Sequence, residues 1–193
     1  CIDEIADYAG VKGHVSAVTA SAMRGEIDFR ESLVRRVALL AGVPADALES
    51  VYRERLELSP GATTLLAGAR EVGAKTLLVS GGFTHFTERL RERLGFDMAV
   101  ANVLEIHDGR LTGRVLGDVV DARGKADAVA VMRRLHAADG GIVAAIGDGA
   151  NDIPMLKAAG LGLGFQPKDA VRKEITNLII HGDNLHALKA LLP

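Results

Sequence analysis

Hydrophobic positions change their rhythm once along this chain. Over residues 1 to about 56, apolar side chains recur every three or four positions in stretches at 2–8, 11–23, 29–40 and 44–53, separated by Gly10, Gly25 and Gly42. That spacing predicts four consecutive helices, and no strand pattern interrupts them. From Ser59-Pro60-Gly61 onward, short apolar runs at 76–79, 99–102, 142–146, 161–165 and 178–180 alternate with helical stretches. Short buried strands separated by helices are the signature of a doubly wound parallel sheet. Residues 103–115 depart from it, with two extended runs about Asp108-Gly109 that read as a hairpin. The expected organisation is α/β, with a small helical cap over residues 1–56 and a Rossmann-like core over 57–193.

Composition narrows the function classes. With 193 residues and 48% hydrophobic content, the chain can bury one medium domain or a core plus a small cap. A formal charge of −2 and the lack of a dense Lys/Arg run give no case for nucleic acid or an acidic membrane surface. A single cysteine excludes internal disulfides, in keeping with a reducing cytoplasm, which is the expected location. No apolar run approaches the roughly 18 residues of a spanning helix, and no signal-peptide pattern appears.

Candidate chemistry gathers where strands end. The apolar run 142–146 is followed by Gly147-Asp148-Gly149-Ala150-Asn151-Asp152, and a helical pattern opens at Pro154. Ligands of parallel α/β sheets bind at the carboxyl ends of strands, and a glycine-flanked Asp148 there suits a hard cation such as Mg²⁺. The plainer alternative makes Asp148 a turn residue and Asn151 or Asp152 a helix cap. A second strand, 76–79, leads into Ser80-Gly81-Gly82-Phe83 and then a helix, so the Ser80 hydroxyl and Gly81 amide are candidate anion donors near a positive helix end. Ser-Gly-Gly is equally an ordinary tight turn. Lys125, after Gly124, stands in a first helical turn where it opposes the dipole unless an anion or carboxylate sits nearby; otherwise it is a solvated surface lysine.

In the stretch 29–40, Arg36 lies seven residues after Phe29, three after Leu33 and four before Leu40, on the apolar face. It needs a partner there. A carboxylate matches its planar fork, although snorkelling or pairing with a neighbouring Glu would also serve. His14, His85, His107, His136, His181 and His186 share no metal-binding spacing and are given no catalytic role.

In order, Ser-Gly-Gly, Gly-Lys and Gly-Asp-Gly-x-Asn-Asp resemble motifs two to four of the haloacid dehalogenase superfamily of phosphotransferases. The stretches Ala22-Met23-Arg24-Gly25-Glu26-Ile27-Asp28-Phe29, Val79-Ser80-Gly81-Gly82-Phe83, Ala101-Asn102-Val103-Leu104-Glu105-Ile106 and Asp108-Gly109-Arg110-Leu111-Thr112-Gly113 make the chain look like the bacterial phosphoserine phosphatases of that superfamily. The resemblance implies Mg²⁺-dependent hydrolysis of phosphoserine through an aspartyl phosphate. Asp148 is then a metal ligand, Ser80, Gly81 and Lys125 grip the phosphoryl oxygens, and Asn151 contacts the substrate or its phosphate. Asp152 orients Lys125 or metal-bound water. Arg36 takes the substrate carboxylate, and Met23 and Phe29 shield the substrate, though by pattern alone both are equally plain core.

One departure is serious. The superfamily's nucleophile and acid/base stand in Asp-x-Asp-x-Thr, and no Asp-x-Asp occurs in these residues. By the resemblance Cys1 falls just after that motif, so the expectation is a protein whose N-terminal part is not represented here. A phosphotransferase passing phosphate from phosphoserine to another alcohol would share the same residues, and a non-catalytic binding module is the remaining alternative. The superfamily's nucleophile strand is central in its sheet, so the strands leading to Ser80 and Asp148 are not expected to pair directly.

Overall fold

The computed structural model describes residues 2–136, 141–175 and 178–180; Cys1, His181 and His186 lie outside the described residues. The N-terminal quarter is helical as its periodicity requires: α1 (Ile2–Tyr8), α2 (Lys12–Met23), α3 (Phe29–Ala38) and α4 (Asp46–Glu54). Gly10, Gly25 and Gly42 separate them at φ of 73°, 76° and 82°, a region that side chains with a Cβ disfavour. The Asp28 carboxylate starts α3 by accepting the Glu31 N–H at 2.7 Å. Leu33 and Val37 on the buried face of α3 join Leu40, Ile5, Val15, Leu48 and Val51 in one core. Each such fully buried aliphatic contributes roughly 1.5–3 kcal/mol relative to exposure.

After α5 (Ala62–Glu71) come β1 (Leu77–Phe83), α6 (Thr84–Leu94), β2 (Met98–His107) and β3 (Arg110–Leu116). The strand and hairpin runs expected at 99–102 and 103–107 are one continuous strand, β2, with a register irregularity between Leu104 and Ile106. It pairs antiparallel with β3, His107 opposite Arg110, leaving Asp108 and Gly109 as a two-residue turn at φ 48° and 71°. Positive φ at both positions is the type I′ geometry that the Asp-Gly pair predicts. The α3–α4 loop is stitched to this hairpin: the Gly42 N–H donates to the Leu111 carbonyl, the Leu111 N–H to Val43, and the Ala45 N–H to Gly109.

The remaining elements are α7 (Ala122–His136), β4 (Ala144–Gly147), a 3₁₀ turn (Ala150–Asp152), α8 (Ile153–Ala158), β5 (Leu161–Phe165), α9 (Asp169–Glu174) and β6 (Leu178–Ile180). Among the described residues the strands form two three-stranded sheets, β1-β2-β3 and β4-β5-β6, the second parallel throughout. Gly162 lets β5 approach α8, since a Cβ there would meet the Leu156 carbonyl oxygen at 2.5 Å. Among the described residues β1 and β4 do not pair with each other, and β4 has one strand neighbour, β5. Ile146 within β4 and Ile142 just before it are exposed, at 38% and 79%.

The expected turn at Ser80-Gly81-Gly82 is strand instead. β1 runs on through Phe83, and α6 starts only at Thr84, so Ser80 and Gly81 precede the helix rather than cap it. The glycines' weak strand propensity misleads, because a neighbouring strand holds their carbonyls.

The chain divides into two compact units. The first comprises Cys1–Glu57, Ser80–Arg89 and Ala101–Val119, with Phe83, Phe86, Leu104 and Leu111 sharing the core of α1–α4. The second comprises Leu58–Val79, Leu90–Val100 and Val120–Pro193, its core built on Val129, Ala145, Met155, Leu156, Val171 and Ile175. No helix among the described residues is long and apolar enough to cross a membrane.

Candidate functional site

β4 ends at Gly147, and the chain turns at once into the 3₁₀ segment. Gly147 is required by packing: a Cβ there would lie 2.6 Å from the Cβ of Asp152, so only hydrogen lets that side chain fold back against the strand end. Asp152 uses both oxygens. Oδ2 accepts the N–H groups of Asp148 at 3.1 Å and Gly149 at 3.0 Å. Oδ1 accepts from Lys125 Nζ at 2.7 Å. This ion pair is buried, the side chains of Lys125 and Asp152 being only 10% and 7% exposed. Burial alone would push the Asp152 carboxyl up, but the Lys125 hydrogen bond, the Gly149 N–H, the Lys125 charge and the Asp148 N–H together hold it below the usual carboxylate value.

Asp152 occupies the N-cap position of α8 without a side-chain cap bond. Its carboxylate turns back instead and caps the 3₁₀ turn, where it accepts the N–H of that turn's N-cap residue, Gly149, so Asp152 has the capping part expected of this pair. Asn151 is half-buried. Asp148 is the loop's exposed acid: its side chain is 60% exposed, and Lys168 Nζ stands 3.8 Å from Oδ2.

Lys125 reaches Asp152 from the first turn of α7, a position unfavourable for a cation. Asp121 offsets this. Its carboxylate accepts the N–H groups of Arg123 and Gly124, each at 2.9 Å, and places a negative charge at the helix start. Asp121 escaped the sequence reading, although Asp-Ala-Arg-Gly just before a periodic stretch is an N-cap signal.

In the first unit, Ser80 Oγ accepts the Gly82 N–H at 2.9 Å, which leaves its hydroxyl proton free to donate to an anion. Asn102, buried to 1% exposure, donates its side-chain amide to the carbonyls of Gly81 at 2.9 Å and Gly82 at 3.2 Å. The sequence reading quoted Asn102 in a motif but assigned it no part.

Arg36 is half-buried on α3, with Nε donating to the Ser32 carbonyl at 3.2 Å. Burial pulls its guanidinium below the usual arginine value, partly opposed by the charge of Asp3. No ion pair to Arg36 forms among the described residues, so the guanidinium keeps donors for a carboxylate ligand. Phe29 packs against the helical core, while Met23, at the end of α2, is 84% exposed.

The described residues contain no group of three or more His, Cys, Asp or Glu placed to hold a metal. What the loop offers is one exposed carboxylate, Asp148, beside a second, Asp152, that already accepts three hydrogen bonds. That donor set fits a small hard cation that keeps several waters and takes one or two protein carboxylates.

Comparison with known proteins places this arrangement. The haloacid dehalogenase-like hydrolase family model matches residues 6–157. The chain is 46% identical over 196 residues to the phosphoserine phosphatase of Albidiferax ferrireducens, covering 99% of this chain and 82% of that one. It is 47% identical to the phosphoserine phosphatase of Archaeoglobus fulgidus over 99% of this chain, but spans only 55% of that protein's length. A substrate-bound phosphoserine phosphatase structure superposes with a TM-score of 0.89 at 34% identity, over 100% of this chain and 90% of that one. Sequence, fold and strand-end motifs agree, and the chain belongs to the haloacid dehalogenase-like hydrolase family.

Proposed function

We propose that residues 1–193 carry the substrate-, phosphate- and metal-binding part of a phosphoserine phosphatase that releases L-serine and phosphate from O-phospho-L-serine, closing serine biosynthesis in the cytoplasm. The buried Lys125–Asp152 pair carries this reading: it holds an ammonium group rigidly at the strand end that also presents Asp148. An ammonium oriented by a committed carboxylate is suited to gripping phosphoryl oxygens as charge develops on them. Ser80 and the Gly81 amide add neutral donors. Arg36 receives the substrate carboxylate, Asn151 contacts the substrate or its phosphate, and Phe29 and Met23 shield it. In this reading residues 1–56 form the helical cap and 57–193 the core.

Asp148 is the residue that would hold Mg²⁺, and the cation when bound supplies the positive charge that lets an anionic nucleophile approach an anionic phosphate. The nucleophile and the acid/base carboxylate would come from an Asp-x-Asp segment that these residues do not contain, seated beside β4 on the side where no described strand pairs with it.

The test is turnover of O-phospho-L-serine by the full-length protein, following serine and free phosphate separately, with and without homoserine, across a Mg²⁺ titration. Mg²⁺-dependent release of equal serine and phosphate is expected. Phosphate appearing on homoserine instead would replace hydrolysis by transfer, and no turnover in either arm would overturn the reading.

A further inference from the structure

Asn102 sits in β2 with its side chain directed at the neighbouring strand, where one buried amide meets two successive backbone carbonyls, Gly81 and Gly82. Consider the peptide unit joining those glycines. No cis peptide occurs among the described residues, so the Gly81 carbonyl and the Gly82 N–H point in opposite directions across a rigid plane. Anchoring the carbonyl on Asn102 therefore aims the Gly82 N–H the other way, and it lands on Ser80 Oγ at 2.9 Å. A hydroxyl that accepts there has its one proton left to donate elsewhere. Glycine at 82 is part of the device, because a Cβ would come within 3.1 Å of Ser80 Oγ.

We infer that Asn102 is a positioning residue for the phosphate grip, setting the direction in which Ser80 donates by fixing the peptide plane between Gly81 and Gly82. The inference rests on the reading of Ser80 and Gly81 as phosphate donors. It differs from a purely structural role in one respect. A residue that only consolidates the β1–β2 pairing would cost stability and would act independently of Ser80, whereas a residue acting through Ser80 loses its effect once that hydroxyl is gone.

The experiment is a double-mutant cycle in the full-length protein with Asn102→Ala and Ser80→Ala, reading kcat/KM for phosphoserine and for an aryl phosphate, and the inhibition constant of inorganic phosphate. Asn102→Ala should lower kcat/KM about tenfold on both substrates and raise the phosphate inhibition constant at least about fivefold, of the order of one lost charge-assisted hydrogen bond. In the Ser80→Ala background the same substitution should cost less than about twofold. KM and inhibition constants do not depend on how much of a preparation is folded, and Asn102→Ser, which keeps a donor, is read the same way if the alanine form does not fold. Full additivity, or an Asn102 variant with unchanged constants beside a damaged Ser80→Ala, would overturn the role of Asn102 and leave the phosphate reading standing. An unaffected Ser80→Ala would overturn both.

Discussion

Breaking the Lys125–Asp152 pair should destabilise the second unit by an amount that its burial sets. In Asp152→Asn the shape is kept, but a single amide oxygen must replace two carboxylate oxygens that accept three hydrogen bonds. The Lys125 side chain, 10% exposed, is then left without its counter-charge. Removing one partner of a buried pair costs about 3–5 kcal/mol, and Lys125→Met should sit near the lower end because Asp152 keeps its two backbone donors. With a urea slope of about 2 kcal/mol/M, a 3 kcal/mol loss moves the midpoint down by about 1.5 M. The double variant should recover at least about 1 kcal/mol of the summed losses, as coupled neighbours do. Urea unfolding followed by far-UV circular dichroism at neutral pH measures all four proteins. The pH dependence has a fixed sign: the Asp152 carboxyl is held below its ordinary value in the folded state. Its contribution is therefore fully present above about pH 4, the unfolded value, and fades as pH falls through the folded one. Shifts under about 0.5 M that add without coupling would refute the reasoning.

Three further outcomes are expected. Asp148→Asn should abolish most phosphoserine turnover and weaken the Mg²⁺ dependence while leaving the urea midpoint within about 0.3 M, since its side chain is 60% exposed; an unchanged Mg²⁺ titration would remove the metal role. Arg36→Ala should raise KM for phosphoserine at least about tenfold and spare an aryl phosphate without a carboxylate, and equal losses on both would make Arg36 structural. Asp97, hydrogen-bonded by Lys75 and by the N–H and hydroxyl of Thr76, is lowered to about 2. With partial exposure screening the pair, Asp97→Asn should cost about 1 kcal/mol at neutral pH. The gap to wild type should close as pH falls from about 4 toward 2, and a gap independent of pH would show another cause.

What the sequence disclosed followed from how local each signal was. The four N-terminal helices are punctuated by glycines at positive φ, and the β2–β3 turn is written in Asp108-Gly109, so both were legible from a few adjacent residues. Ser80-Gly81-Gly82 was misread because its pairing partner, the strand β2, lies about 20 residues on in the sequence. Lys125 and Asp152 each drew notice alone, but the bond joining them spans 27 positions, and only the resemblance linked them. Arg36 on an apolar face was visible by periodicity; the opposing charge of Asp3 from another helix was not.

The stitching of the α3–α4 loop to the hairpin has a consequence for synthesis. Arg110 Nη1 donates to the Gly42 carbonyl at 2.7 Å across 68 positions, beside the backbone bonds that join Gly42, Val43 and Ala45 to the same hairpin. At roughly 5–20 residues per second, translation takes about 3–14 s to deliver those partners after Gly42 is made. For that interval the helices exist without the strands that complete their core, with Leu40 and Leu48 facing no Leu111. A nascent chain paused in this window would be a substrate for holding chaperones rather than a folded unit, and rare codons between Gly42 and Arg110 would lengthen its exposure.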